Sequence, residues 1–253
     1  KYNAAFKNLH IAASGNYNLF TTTNATYDPT LHVEDCTVDA AYNVVYDSHN
    51  TQNFKSVYFG NSIVKMTVAN KPFYSTKAKD AHTQQLIRLD NNVFYAETPL
   101  QNYLINCGDR SQAFQTTRLQ VEVTNNTIYN IYQPNIMIRA YVLAGLTVTK
   151  NVGYYTGVTA KNYLTGVYDT AGFTADKAEV TYNYLYTAPV SDTNFWSAKH
   201  TGSYTPANNQ MGDGVEAPFS SMDAAKGYFP VDASVVKTGA GATYDTKAWF
   251  KAE

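Results

Sequence analysis

Charge, cysteine and phosphate-binding loops are all in short supply in this sequence, and each shortage removes a class of function. Only 15% of its 253 residues are charged and the formal net charge is -1. Neither the basic footprint of a nucleic-acid binder nor an acidic solvating tail is therefore present. Cys36 and Cys107 are the only cysteines, too few to staple a chain of this length, and both read as free buried thiols. No apolar run approaches the roughly 20 residues that cross a bilayer. No signal peptide opens the sequence at Lys1, and removal of a leader upstream is expected. No glycine-rich loop follows a strand and opens a helix, no Cys/His group has zinc spacing, and no serine sits in a nucleophile elbow. The aspartates Asp47, Asp80, Asp90, Asp109 and Asp169 lack the alternating oxygen-ligand spacing of a calcium loop. Neither a metal nor a cofactor is expected.

What the sequence has instead is tyrosine, 22 of them, with much asparagine and threonine, a composition that suits a secreted or cell-surface β-protein. It also repeats itself. Leu86-Ile87-Arg88-Leu89-Asp90-Asn91-Asn92-Val93-Phe94-Tyr95 returns as Gln120-Val121-Glu122-Val123-Thr124-Asn125-Asn126-Thr127-Ile128-Tyr129. Each copy is a strand with period-2 alternation, an Asn-rich bend and a second short strand. Six segments superimpose, with bends at 35, 61, 91, 125, 150 and 182, and a degenerate seventh copy opens the chain at Phe6-Lys7-Asn8-Leu9-His10-Ile11.

Repeats that are single supersecondary units, none able to bury its own apolar side, stack into solenoids. These units carry strands and not amphipathic helices, and their uneven spacing is wrong for propeller blades. The expected fold is all-β, a single-stranded parallel β-helix. Two before each bend stand Val33, Phe59, Leu89, Val123, Val148 and Val180, and four before stand Leu31, Val57, Ile87, Val121, Leu146 and Ala178. Both columns should stack inside. Asn61, Asn91, Asn126, Asn151 and Asn183 are expected to form a partial amide ladder that satisfies backbone groups at the bends. The rhythm stops after Pro189. Residues 1–190 are read as coils, and 191–253 as a loop-rich tail of the same domain that packs on the solenoid and caps its open end. Phe195, Trp196, Phe219, Tyr228, Phe229, Trp249 and Phe250 supply its apolar contacts, and a short helix is expected from Ser221 to near Gly227.

The Val-x-Asn-Asn-x-φ-Tyr coils resemble the pectate-lyase-like right-handed β-helix superfamily. The closing segments Asp223-Ala224-Ala225-Lys226-Gly227-Tyr228-Phe229 and Gly239-Ala240-Gly241-Ala242-Thr243-Tyr244-Asp245 are similar to uncharacterised β-helix domains of Bacteroidetes surface and secreted proteins. The resemblance implies a right-handed solenoid, an extracellular or cell-surface location, including lipid anchoring through an absent N-terminus, and association with polysaccharide. It implies no particular activity, because the fold hosts lyases, hydrolases and non-catalytic domains.

Four after the bends stand Tyr95, Tyr129, Tyr154 and Tyr186, an outward column of rings about 4.8 Å apart that would suit the C–H faces of sugars. The alternative is a self-stacking ladder that binds nothing. Three before the bends stand His32, Tyr58, Arg88, Glu122, Thr147 and Glu179, a polar face on which Arg88 and Glu122 should be neighbours. The competing reading is an ordinary solvated sheet. A lyase needs a base and a cation. The four arginines, Arg88, Arg110, Arg118 and Arg139, do not form the Arg-x-Pro-x-x-Arg pattern of pectate lyases, and Lys150 with Arg139 is the nearest substitute. No Asp-Asp pair or Gly-His-Gly marks a hydrolase. The expectation is a monomeric, non-catalytic polysaccharide-binding protein, with Tyr95, Tyr129, Tyr154, Tyr186, Arg88 and Glu122 as carbohydrate contacts and no catalytic residue assigned. The alternative is a lyase of uronate-containing glycans, under which alone calcium would enter.

Overall fold

Strand-forming segments with one apolar face must pair edge to edge, and in this chain they pair with their counterparts one repeat away. A computed structural model describes residues 3–13, 15–22, 29–47, 54–76, 85–107, 119–133, 136–140, 143–155, 163–167, 178–186, 194–196, 207–212, 216–245 and 247. The chain is a parallel β-solenoid whose coils each contribute one strand to three sheets of seven, eight and seven strands. The first sheet holds Asn3–Lys7, Thr30–Glu34, Ser56–Gly60, Gln85–Asp90, Leu119–Thr124, Leu143–Thr149 and Ala178–Thr181. The second holds His10–Ala12, Thr37–Ala40, Ile63–Met66, Val93–Gln101, Thr127–Tyr132, Val152–Tyr154, Tyr184–Leu185 and Gln210–Met211. The third runs from Phe20–Thr22 through Val45–Asp47, Tyr74–Thr76, Ile105–Cys107, Ile136–Ala140 and Tyr163–Val167 to Asn194–Trp196. The coils thus continue past residue 190. Ala207 bridges Thr181, and Gln210–Met211 pairs with Tyr184–Leu185.

Register follows the expected columns. Val123 faces Leu89 on one side and Val148 on the other, and Val121 faces Ile87 and Leu146. Every member of the column two before the bend is fully buried. In the column four before it, all are buried except Ala178, which packs half-buried against the same core. Phe59, Phe73 and Phe94 meet edge to face inside, with ring centroids 4.8 Å apart at each contact, an arrangement that adds to the burial of their area. Cys36 is a free, buried thiol in this core.

The turn from the first sheet to the second is made by one left-handed residue in every coil: Asn8, Asp35, Asn61, Asn91, Asn125, Lys150, Tyr182 and Asn208 all have φ between 53° and 57°. This conformation costs a side chain about 1–2 kcal/mol, least for Asn and Asp, which explains the composition of the bends. The following residue points inward, and this inner column, not the bend itself, carries the continuous ladder. Ser62, Asn92, Asn126, Asn151 and Asn183 are fully buried. The Asn92 main-chain N and Nδ2 both donate to Asn126 Oδ1 at 2.9 and 3.1 Å, and Asn126 does the same to Asn151 Oδ1 at 3.0 Å. Asn151 repeats it to Asn183 at 2.9 Å, and Asn183 to Asn209. Each Nδ2 also donates to a strand carbonyl of the coil before, Asn126 to Leu89 O at 3.0 Å. The expected single ladder is therefore two. Asn61 and Asn91 belong to an outer one, where Asn91 Nδ2 donates to Asn61 Oδ1 at 3.0 Å and Asn61 donates in turn to Asp35.

The described part of the tail lies along the flank of the solenoid and reaches its last coil. Gln210 exchanges hydrogen bonds with Val235 and Lys237. The chain then retreats down the bends: Gly241 N to Lys150 O, Ala242 N to Thr127 Oγ1, Thr243 N to Asn91 Oδ1, and Lys247 Nζ to Asn91 O at 2.8 Å. The helix expected from Ser221 is a single turn closed by a bridge between Asp223 and Tyr228. The Asp223 carboxylate accepts from Ala225 N and Lys226 N, and Gly227 at φ 66° ends the turn after too few residues to nucleate a helix. Trp249 and Phe250, and the side chains of Phe195 and Trp196, lie outside the described residues.

Candidate functional site

The residue four after each bend points away from the core, so its fate depends on what lies over the second sheet. Tyr95, Tyr129 and Tyr154 stand in register on consecutive coils, with Tyr186 packed against Tyr154 at 4.5 Å. They do not form a surface. The tail hairpin seats Phe229 on Tyr129 at 4.0 Å between ring centroids, nearly parallel, and Phe219 edge-on to Tyr154 at 5.4 Å. Tyr95, Tyr154 and Tyr186 retain 4, 7 and 7% of their exposure. The tyrosine ladder expected to meet sugars is the apolar half of an internal interface with Phe219, Phe229, Val236, Ala240 and Ala242. Burial raises the Tyr154 pKa and pushes that of Tyr95 up to about 12, with Asp39, Glu97 and Asp223 adding to the latter. Both phenols stay protonated.

The outward face of the first sheet carries no such cover from the described tail. The expected neighbours Arg88 and Glu122 are in register, with Arg88 Nε 3.5 Å from Glu122 Oε2. Gln120 Nε2 donates to the other carboxylate oxygen at 2.7 Å. Toward the N-terminal coils the row continues to Tyr58 and His32, whose rings lie 4.5 Å apart. The column one before the bends, Glu34, Gly60, Asp90, Thr124, Thr149 and Thr181, belongs to the same polar face. Glu34, Gly60 and Asp90 stand in register on three coils, and a Cβ at Gly60 would collide with the Tyr58 hydroxyl and ring. The missing side chain opens a gap into which Tyr58 folds between two carboxylates. Its pKa is raised by burial first, then by Asp90 and Glu34, with Arg88 opposing. Asp90 is itself held by Thr124 Oγ1 at 2.6 Å and Asn125 Nδ2 at 3.1 Å, and Glu34 by Lys7 Nζ at 3.1 Å. The signal available in the sequence was a glycine alone in a column of acids and threonines.

Chemically, this face offers two rings in tilted contact, a guanidinium and fixed carboxylates, with His32 and Arg88 about half-exposed and Glu34 and Glu122 more buried. Arg139, the expected partner of Lys150, instead donates twice to Asn106 Oδ1, at 2.6 and 2.8 Å, and lies over the Tyr103 ring. Lys150 sits on a different corner, at the bend between the first and second sheets. Asp80, Asp109, Asp169, Arg110 and Arg118 lie outside the described residues. Among the described residues, no three His, Cys, Asp or Glu side chains converge as metal ligands, and no helix is long and apolar enough to cross a membrane. Compared with protein-family models, curated proteins and solved structures, the chain matches none.

Proposed function

We propose that this chain is an extracytoplasmic, monomeric and non-catalytic β-helix protein that binds polysaccharide along the outer face of its first sheet. The observation that carries the reading is the Tyr58–His32 ring pair, set beside Arg88 and Glu122 on successive coils of one sheet that the described tail leaves uncovered. Aromatic faces stack on sugar C–H groups, and charged side chains one strand apart reach successive hydroxyls or carboxylates of an extended chain. The repeating coils and their Asn bends support kinship with pectate-lyase-like solenoids and with secreted or surface domains of Bacteroidetes. The lyase alternative draws on Arg88 beside Tyr58, a cation next to a proton-carrying group. The raised Tyr58 pKa works against it, because a lyase base must lose its proton readily.

A glycan microarray followed by calorimetry on the best hit tests the proposal. Tyr58→Ala and Arg88→Ala should each weaken binding about fivefold or more, the loss of one good contact. Binding unaffected by either change would refute the face as the site. Incubation with uronic-acid polymers, with and without calcium, should produce no ultraviolet absorbance from an unsaturated product; a steady rise would establish the lyase.

A further inference from the structure

The column that carries the tyrosines changes chemistry in its first coils. From Tyr154 and Tyr129 it passes in register to Tyr95, then to Lys65, Asp39 and Ala12. The change coincides with the end of the tail hairpin, where Gly227 rests on Ile63 and Tyr95, a Cβ there being within 2.7 Å of both. A cleft of about 190 Å³ opens beside the turn, lined by His10, Thr37, Asp39, Lys65, Tyr95 and Lys226, with Ile63 as apolar floor.

We infer that this cleft is a binding site for a single neutral sugar ring. Tyr95 is buried apart from its approach to the cleft, where its hydroxyl stays accessible and has no hydrogen-bond partner among the described residues. A hydroxyl presented to a cleft in this way is left for water or a ligand to satisfy. Among the described residues, the half-exposed Asp39 carboxylate is contacted only by His10 Nε2, at 3.7 Å, longer than a hydrogen bond. Asp39 and Lys65 are register neighbours, yet Lys65 pairs with Glu97 and His10 Nδ1 bonds Thr37 Oγ1 at 2.7 Å. With Lys65 paired to Glu97, Asp39 and Lys226 line the cleft with charges of opposite sign, and the cleft keeps an open acceptor at Asp39 and an open donor at Tyr95. A hydroxyl both donates and accepts, so adjacent hydroxyls of one ring can satisfy both groups while its C–H face lies on Ile63. An anion would meet Asp39, and a cation would meet Lys65. The site is on the second sheet, and it stands or falls independently of the first-sheet face.

Saturation-transfer NMR with the methyl glycosides of glucose, galactose, mannose and N-acetylglucosamine, and with sodium galacturonate, tests this in the full chain. At least one methyl glycoside should bind with a millimolar Kd. Tyr95→Phe, which keeps the buried ring, and Asp39→Asn should each weaken it about fivefold. Transfer to none of the glycosides, binding of galacturonate alone, or a Kd unaltered by Tyr95→Phe or by Asp39→Asn would overturn the inference. Loss through Arg88→Ala alone would assign the sugar to the first sheet instead.

Discussion

Replacing Asn126 by alanine should unlock the solenoid at its middle. The side chain is fully buried and makes four hydrogen bonds: it accepts from Asn92 N and Nδ2 and donates to Asn151 Oδ1 and Leu89 O. Two of these partners have a second bond to fall back on. Asn92 Nδ2 still donates to Phe59 O, and Asn151 Oδ1 still accepts from the main-chain N of residue 126. The Asn92 main-chain N–H has none and becomes a buried orphan. One orphan costs about 1–3 kcal/mol, and the weakened bonds to Leu89 and Asn151 bring the total to about 3 kcal/mol. For a chain of this size that is roughly 6–12 °C in Tm. Guanidinium unfolding followed by circular dichroism measures the loss, and hydrogen exchange at the Asn92 amide localises it. Asn125→Ala, at the adjacent bend, keeps the inner ladder and should cost only about 1–2 kcal/mol from its left-handed backbone. If Asn126→Ala were no worse than Asn125→Ala, or if the Asn92 amide stayed protected, the inner ladder would not be what locks the coils.

Two further outcomes concern the tail. Lys247 is fully buried, with Nζ donating to Asn61 Oδ1, Asn91 O and Thr243 O, and burial pulls its pKa down to about 7 against the opposing pull of Asp35 and Asp90. The unfolded chain holds this proton up to its ordinary pKa of 10.5. Stability should therefore rise with pH between about 7 and 10.5 and be lowest, from this group, below pH 7. The span is about 5 kcal/mol at most, and Lys247→Met should flatten it; urea midpoints of both proteins that change in parallel with pH would refute the assignment. Phe229→Ala removes the ring stacked on Tyr129 and should cost about 3–5 kcal/mol, detaching the hairpin while the solenoid core persists. Increased binding of a hydrophobic dye with an unchanged β-sheet spectrum is the expected readout, and no added dye binding would count against the strap.

The coils were legible because each bend imposes a local requirement that sequence must meet: a left-handed residue after alternating aliphatics. That is why all six expected bends, and the degenerate one at Asn8, carry positive φ. The coil through Asn208 was missed because Pro206-Ala207 supplies no apolar alternation before it. Which of two adjacent asparagines faces inward was not legible at Asn91-Asn92 or Asn125-Asn126, since both residues suit a bend and only the register decides. The outward direction of the tyrosines was readable from period 2, but not their covering. Phe229 reaches Tyr129, and Thr243 reaches Asn91, across a hundred residues or more of chain, and no periodicity encodes so distant a contact. Asp223 looked like the cap of a helix because its carboxylate does gather amide protons; only the nearness of Gly227 makes the result a turn.

The inner ladder also has a direction. In every step an amide in one coil finds its acceptor in the coil that comes later in the chain, from Cys36 to Ser62 and onward to Asn209. During synthesis, each finished winding would wait with an open valence until the next one closed it, so that growth from the amino end is rewarded turn by turn. A chain assembled in that order is its own template.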